Sequence, residues 1–295
     1  MSFSSEVVDK IIARFNDRKM YNSKAAFEKW LAKKEKDNAK PYHLFYPFSN
    51  LITVETMKID GMRYYVLNRQ FCKKTIFYYH GGAYISRPTI MHWRFVETLL
   101  LKTDVCVVFP IYPRMPQYTC HDCISKCVKL YNNFLKNNDV EEVIFMGDSA
   151  GGGLALAMSE QVKKLPEKRV KAILISPWID VNTNNKESDE IQPTDKMLSK
   201  KGLHMLGKIW SNSNLKDPVA SPIWGDLTRA DIMVVVGTND LLYPDTKVLC
   251  KLAKKQGTSV DFHEYKDMCH CFILMPTPEA EDATKLVLKE INRKV

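Results

Sequence analysis

The chain has 295 residues, is 45% hydrophobic and 26% charged, and carries a formal net charge of +9. This balance excludes a disordered chain and suits one large α/β domain, which at such a length buries roughly 75% of its unfolded surface. No apolar run approaches the roughly 18 residues of a membrane span, and Met1 to Lys10 lacks the basic-then-apolar layout of a signal peptide.

In chain order, Ser5 is placed to cap a helix carrying Val7, Val8, Ile11, Ile12 and Phe15, and Ser23 a second carrying Phe27, Trp30 and Leu31. A charged run, Lys33 to Lys40, follows and ends at Pro41. Ile52 to Ile59 and Met62 to Leu67 read as strands joined by the turn dipeptide Asp60-Gly61. Short apolar runs then recur between helical stretches: Thr75 to Tyr79, Val105 to Pro110, Glu142 to Met146, Ala172 to Ser176, Ile232 to Val236 and Val260 to Tyr265. Their length and β-branched content suit buried parallel strands. The expected fold is therefore α/β, an eight-stranded, mostly parallel sheet with helices on both faces.

No linker divides the chain, so residues 1–295 are expected to form a single domain. The region 182–215 interrupts the alternation with a polar stretch and a helix over Ser199 to Trp210. With residues 1–48 it is expected to build a small helical cap. These regions carry the bulky groups Phe15, Phe27, Trp30, Phe45, Tyr46, Phe48, Met197, Leu206 and Trp210, some expected only to hold the cap to the sheet and the rest to close over the serine.

Eight cysteines and the missing leader point to a soluble cytoplasmic protein with reduced thiols. Cys120, Cys123 and Cys127 fall within about 60° of one another on a helix that turns about 100° per residue. They share that face with Ile124, Leu130 and Phe134, so they read as buried thiols, and no metal site is expected. The lysines are spread along the chain, and the run 163–171 reads as solvated surface. Neither a nucleic-acid partner nor stable membrane insertion is expected; a homo-oligomer stays open.

Gly147-Asp148-Ser149-Ala150-Gly151 lies between the strand Glu142 to Met146 and a helix-forming run from Gly153. This is G-x-S-x-G in the strand–turn–helix setting that a nucleophile needs: small residues allow a sharp turn that lifts the serine above the sheet. A serine hydroxyl needs a base. Beyond Ser149 the histidines are His204, His263 and His270. His204 falls in the roof helix and His263 inside a strand, whereas His270 follows a strand in a loop and is the expected base. The acid is expected at Asp240, the first carboxylate after the strand Ile232 to Val236. Asp245 is the alternative and reads better as a helix N-terminal charge. Backbone N–H groups of Gly81, Gly82 and Ala83, with that of Ala150, are expected to form an oxyanion hole. His80 is expected to organise that loop, and Gly147, Asp148 and Gly151 to support the serine turn.

These pieces resemble the hormone-sensitive-lipase family of α/β-hydrolases, in its bacterial acetyl-esterase and carboxylesterase branch. The matching stretches are the HGG loop at His80, GDSAGG from Gly147, Ser176-Pro177-Trp178-Ile179-Asp180, Asp195-Lys196-Met197-Leu198-Ser199 and Ser221-Pro222-Ile223-Trp224-Gly225-Asp226, with the Asp240 and His270 loops. Departures are Ala83 for a common third glycine, Tyr112-Pro113-Arg114-Met115-Pro116-Gln117 for a YRLAPE-like segment, and Cys271 where glycine or valine is common. The resemblance implies a serine carboxylesterase acting on a small-molecule, short-chain ester through an acyl-enzyme, without a cofactor. An amide deacetylase or lactonase would use the same triad. A non-catalytic receptor of the same fold is disfavoured by the presence of serine, acid and histidine together.

Overall fold

The computed structural model describes residues 18–162 and 169–293. The expected first helix, the residue Phe15 and most of the 163–171 run lie outside the described residues.

Eight strands form one sheet: β1 (Val54–Ile59), β2 (Met62–Leu67), β3 (Lys74–Tyr79), β4 (Cys106–Pro110), β5 (Glu142–Asp148), β6 (Arg169–Ile175), β7 (Asp231–Gly237) and β8 (Val260–Tyr265). Their order is β1-β2-β4-β3-β5-β6-β7-β8. Asp60-Gly61 joins β1 to β2, both residues at positive φ, with Ile59 opposite Met62. The β1–β2 and β2–β4 pairings are antiparallel, and the remaining five are parallel.

The helices are α1 (Lys24–Ala39), α2 (Ile90–Lys102), α3 (Cys120–Asn137), α4 (Ala150–Gln161), α5 (Glu187–Ile191), α6 (Lys200–Trp210), α7 (Tyr243–Lys255) and α8 (Pro278–Asn292). They cover both faces of the sheet, and alternate strand residues feed the two layers. On β5, Val143 and Phe145 join the core under α3, α4 and α7, while Ile144 and Met146 join the core under α2 and α8. Strands buried on both faces explain why their sequences read as continuous apolar runs. Cys120, Cys123 and Cys127 are fully buried on the inner face of α3.

Ser23 does cap α1, accepting from Ala26 N–H at 3.1 Å. The helix, however, runs on through the charged stretch to Ala39. Lysine and glutamate are good helix formers and suit an exposed face, and the chain leaves the helix just before Pro41. The C-terminal half of α1 is fastened to the loop after β3. Asn38 Nδ2 donates to Ile85 O at 2.9 Å, and the Arg87 guanidinium donates to Asp37 O and Lys40 O.

The bulky groups divide between the two expected uses. Trp30, Met197 and Leu206 line a cavity over Ser149, Phe27 packs on Trp30, and Trp210 stacks on Tyr84 with ring centres 3.9 Å apart. Tyr46 and Phe48 instead pack on the α2 side, Phe48 against Trp93, and Phe45 is exposed. Tyr46 is held there by its hydroxyl, which donates to Glu97 at 2.5 Å.

At the opposite end of the strands from Ser149, a buried lysine anchors α8. Lys171 of β6 sits 3.1 Å from both Glu142 and Glu290 and donates to Glu290 O at 2.8 Å. Removing one member of a buried charge group leaves the others uncompensated, at a cost of about 3–5 kcal/mol. Glu142 keeps Lys74 at 3.0 Å, so the lower end applies. Lys171→Ala is expected to lose about 3 kcal/mol of unfolding free energy, read as a lower urea midpoint at unchanged slope.

Candidate active site

The loops leaving the C-terminal ends of β3, β5, β7 and β8 converge above the sheet. At the end of β5 the chain turns sharply into α4, and Ser149 takes φ 55° and ψ −123°. Such a backbone costs a non-glycine residue of order 1–3 kcal/mol and persists only where its surroundings impose it. Here Ser149 N–H donates to Ile175 O, and Trp178 N–H donates to Ser149 O, both at 2.9 Å. Gly147 and Gly151 make the turn sterically feasible, because a Cβ on either would collide with the Tyr79 carbonyl at the end of β3.

His270 Nε2 lies 2.9 Å from Ser149 Oγ, and its Nδ1 lies 2.9 Å from Asp240 Oδ2. All three side chains are buried. Asp240 also accepts Leu242 N–H at 3.0 Å. A carboxylate can only accept, so Nδ1 carries the proton and Nε2 is free to accept from the serine hydroxyl. Burial works against a charged imidazole. The Asp240 carboxylate outweighs it and holds His270 well above the ordinary histidine value.

The other candidates separate cleanly. His204 pairs with Asn182 O at 2.7 Å, and His263 with Asp261 at 2.9 Å. Asp245 stands in the first turn of α7 and accepts from Asn185 Nδ2 at 2.9 Å. Burial pushes it up to about 7, so it is not the fixed helix-terminal charge that its position suggests.

The segment His80–Ala83 leaves β3 beside Ser149, with Gly82, Ala83 and Tyr84 at positive φ. His80 is buried and stacked on Tyr112 with centroids 4.4 Å apart. Burial holds it well below the usual range, hence neutral. Its Nδ1–H donates to Gly81 O at 2.7 Å, and Tyr112 OH donates to His80 O at 2.6 Å. It shapes the loop. One expectation changes: Gly81 N–H is committed to Asp148 Oδ2 at 3.1 Å. The N–H groups of Gly82, Ala83 and Ala150 are the ones left of the four expected donors, and Gly81 is needed for space, since a Cβ there would meet the Asp148 carboxylate.

Two buried carboxylates do more than the motifs indicated. Asp148 accepts Tyr78 OH at 2.8 Å and Gly81 N–H, and pairs with His92 Nε2 at 3.2 Å. Thr89 N–H donates to His92 Nδ1 at 2.9 Å, which leaves the ring proton on Nε2, facing Asp148. Burial alone would raise Asp148; His92 and the Tyr78 hydroxyl overcome it and hold the carboxyl below its usual value. Asp195 accepts Met197 and Leu198 N–H at 2.7 and 2.8 Å and Leu241 N–H at 2.8 Å, tying the 182–215 region to the Asp240 loop. Burial and the neighbouring Asp240 charge raise it. The sequence signals for these two were their motifs alone; the partners are remote in the chain.

Ser149 and His270 open into a cavity of about 550 Å³ with a mostly apolar wall that includes Trp30, Met197, Leu206 and Met275. Among the described residues one group has metal-ligand spacing, Cys120, His121 and Asp217. Its thiol is pushed up to about 12 by burial and its imidazole is already closed on Asp217 at 2.7 Å, so it reads as a pair at the start of α3, outside the cavity wall. Among the described residues no helix is long and apolar enough to cross a membrane.

The family profile of the alpha/beta hydrolase fold matches residues 76–274. The chain belongs to that family. An esterase of Acinetobacter venetianus is 27% identical over 246 residues, 81% of each chain. An acetyl-hydrolase of Streptomyces hygroscopicus is 28% identical over 204 residues, 67% of each. The crystal structure of a provisionally named esterase from Staphylococcus aureus superposes with a TM-score of 0.84 at 27% identity, covering 93% of this chain and 95% of that one. This α/β-hydrolase thus agrees in family and fold with the resemblance drawn from its motifs.

Asp148 lines the cavity beside Ser149 and holds the loop after β3 through Gly81 N–H. Asp148→Asn keeps the shape but weakens the hold on Gly81 and His92. Turnover is expected to fall about tenfold to a hundredfold, since small displacements of catalytic groups carry that cost. The check is kcat against unchanged near-UV circular dichroism.

Proposed function

We propose that this α/β-hydrolase is a serine carboxylesterase for short-chain esters, with Ser149 as nucleophile, His270 as base and Asp240 as orienting acid. The observation that carries the reading is the unbroken hydrogen-bonded chain Asp240–His270–Ser149, at 2.9 Å in each link, opening on an apolar cavity. The esterase and acetyl-hydrolase names of the relatives support it.

In this reading Ser149 Oγ attacks the ester carbonyl while Nε2 takes its proton. Asp240 holds the ring and stabilises the imidazolium. The N–H groups of Gly82, Ala83 and Ala150 receive the oxyanion; losing one such donor typically costs roughly 2.7–4 kcal/mol. His270 then protonates the leaving alcohol and activates the water that releases the acid. These steps need neither a metal nor an organic cofactor. Residues 1–48 and 182–215 act as the cap of a single domain, through the parts of them that wall the cavity.

Ser149→Ala is expected to lower turnover of a chromogenic acetate ester by about 10⁴-fold or more while leaving denaturant stability intact; a variant within about tenfold of the parent would falsify the assignment.

The pH dependence follows from the raised His270 value. Only the neutral ring can accept a proton, so activity is present above the folded-state pKa and lost as pH falls through it. The acid limb of kcat/KM should therefore have its midpoint above the ordinary histidine value of about 6.5; a midpoint near 5 would remove His270 from the role.

An apolar pocket gains roughly 0.8 kcal/mol per buried methylene until it is full, after which overpacking costs roughly 1–3 kcal/mol. Efficiency should rise from acetate to butyrate and fall for acyl chains of about ten carbons. A preference for the long chains would contradict a closed roof.

A further inference from the structure

The accepting nitrogen of His270 faces two donors, not one. Ser149 Oγ is 2.9 Å from Nε2, and Cys271 Sγ is 3.4 Å from it. The thiol is held there by its backbone: Cys271 has φ 52° and ψ 32°, and its N–H donates to Ser176 Oγ at 3.0 Å. Its sulfur also lies 4.0 Å from Asp148 Oδ2. Cys271 is buried against the protein yet lines the same 550 Å³ cavity as Ser149. A small molecule that reaches the serine therefore also reaches this sulfur.

Left to itself the thiol is inert. Burial pushes it up to about 12, and the thiolate is the reactive form. A base in contact with the S–H changes this, as it does for a serine hydroxyl.

We propose that Cys271 is a covalent modification site activated by the esterase's own base, taking small uncharged electrophiles that enter through the ester cavity. The inference rests on His270 being that base. With an α-haloamide, the sulfur forms a bond to the methylene carbon and the carbon–halogen bond breaks, its electron pair leaving with the halide. The thiol proton passes to His270 Nε2 and from there to water. The adduct fills space beside Ser149 and stops ester turnover. An uncharged reagent is preferred because the cavity wall is mostly apolar.

The experiment treats the full chain with iodoacetamide, follows residual turnover of p-nitrophenyl acetate, and maps each alkylated cysteine by mass spectrometry. Loss of turnover is expected to follow alkylation of Cys271 in a one-to-one ratio. The partly exposed thiols Cys72, Cys250 and Cys269 are mapped alongside it, and the distant Cys72 and Cys250 react independently of it. The rate at Cys271 should rise along the same acid limb as turnover, whereas an ordinary thiol reacts according to its own titration near about 8.5. His270→Asn should slow alkylation at Cys271 about tenfold or more while Cys72 and Cys250 keep their rates. Cys271→Gly suits the positive φ at this position, and whatever turnover it shows should no longer decline with reagent. In Ser149→Ala the thiol has Nε2 to itself, so Cys271 alkylation should proceed at least as fast as in the parent.

This last arm separates the two readings. Retained turnover in Ser149→Ala would end the esterase assignment, whereas the Cys271 inference is decided by the mapped alkylation. Three results would overturn it: Cys271 unmodified once the exposed thiols are saturated, Cys271 modified with turnover intact, or an unchanged Cys271 rate in His270→Asn.

Discussion

The rest of the site depends on one strained residue. Ser149 holds a backbone conformation that an L-residue avoids, and the surrounding structure must impose it. The parallel register supplies the means. Gly147 on β5 lies opposite Tyr79 on β3 and Leu174 on β6, so the turn emerges in the middle of the sheet with a neighbour on either side. β6 provides the Ile175 carbonyl for Ser149 N–H, and the stretch beyond β6 provides the Trp178 N–H for its carbonyl. The end of β3 comes so close that only glycine fits at positions 147 and 151. The G-x-S-x-G pattern is thus a record of backbone crowding as much as of chemistry. Rigid strands on both sides maintain the geometry, and the strain is stored where the hydroxyl must be presented.

Around this turn the protein spends buried carboxylates on loops. Asp148 gathers a backbone N–H, a tyrosine hydroxyl and an imidazole, fixing the loop after β3 against the serine turn. Asp195 gathers three backbone N–H groups and joins the 182–215 region to the loop that bears Asp240. A carboxylate is costly to bury unless its oxygens are satisfied, and both are. In return each holds segments far apart in sequence in a single arrangement. Asp240 differs in that one of its oxygens faces the ring that changes charge, so its field acts on His270.

The roof is assembled by similar economy. Arg87, just beyond the glycine loop, donates to carbonyls at the C-terminal end of α1, where the helix dipole favours a cation. The same arginine therefore ties the cavity's wall to the loop that offers the Gly82 and Ala83 N–H groups. In the proposed reading, substrate space and oxyanion donors are thereby mechanically joined.

The sequence by itself determined the strands, the parallel character of the sheet and the serine turn. All three are local signals: apolar runs of strand length, the Asp60-Gly61 turn, and glycines flanking Ser149 between a strand and a helix. It also ranked Asp240 and His270 first, because each follows the end of a strand. It stopped α1 too early, since a charged run reads as a break when only its polarity is seen, whereas the tertiary contacts of Asn38 and Arg87 show a helix lying on its neighbour. It did not sort the bulky groups of residues 1–48 and 182–215 between lining the site and packing elsewhere, because an aromatic residue carries no label for the face on which it will be buried. It offered Gly81 as an oxyanion donor, since neighbouring N–H groups look alike in sequence and only the Asp148 carboxylate distinguishes this one. The contacts of Cys271 with His270, of Asp148 with His92 and of Asp195 with the Asp240 loop join residues brought together by strand order and loop geometry. Those were decided by the tertiary structure alone, because hydrogen bonds between distant segments leave no periodicity in the chain.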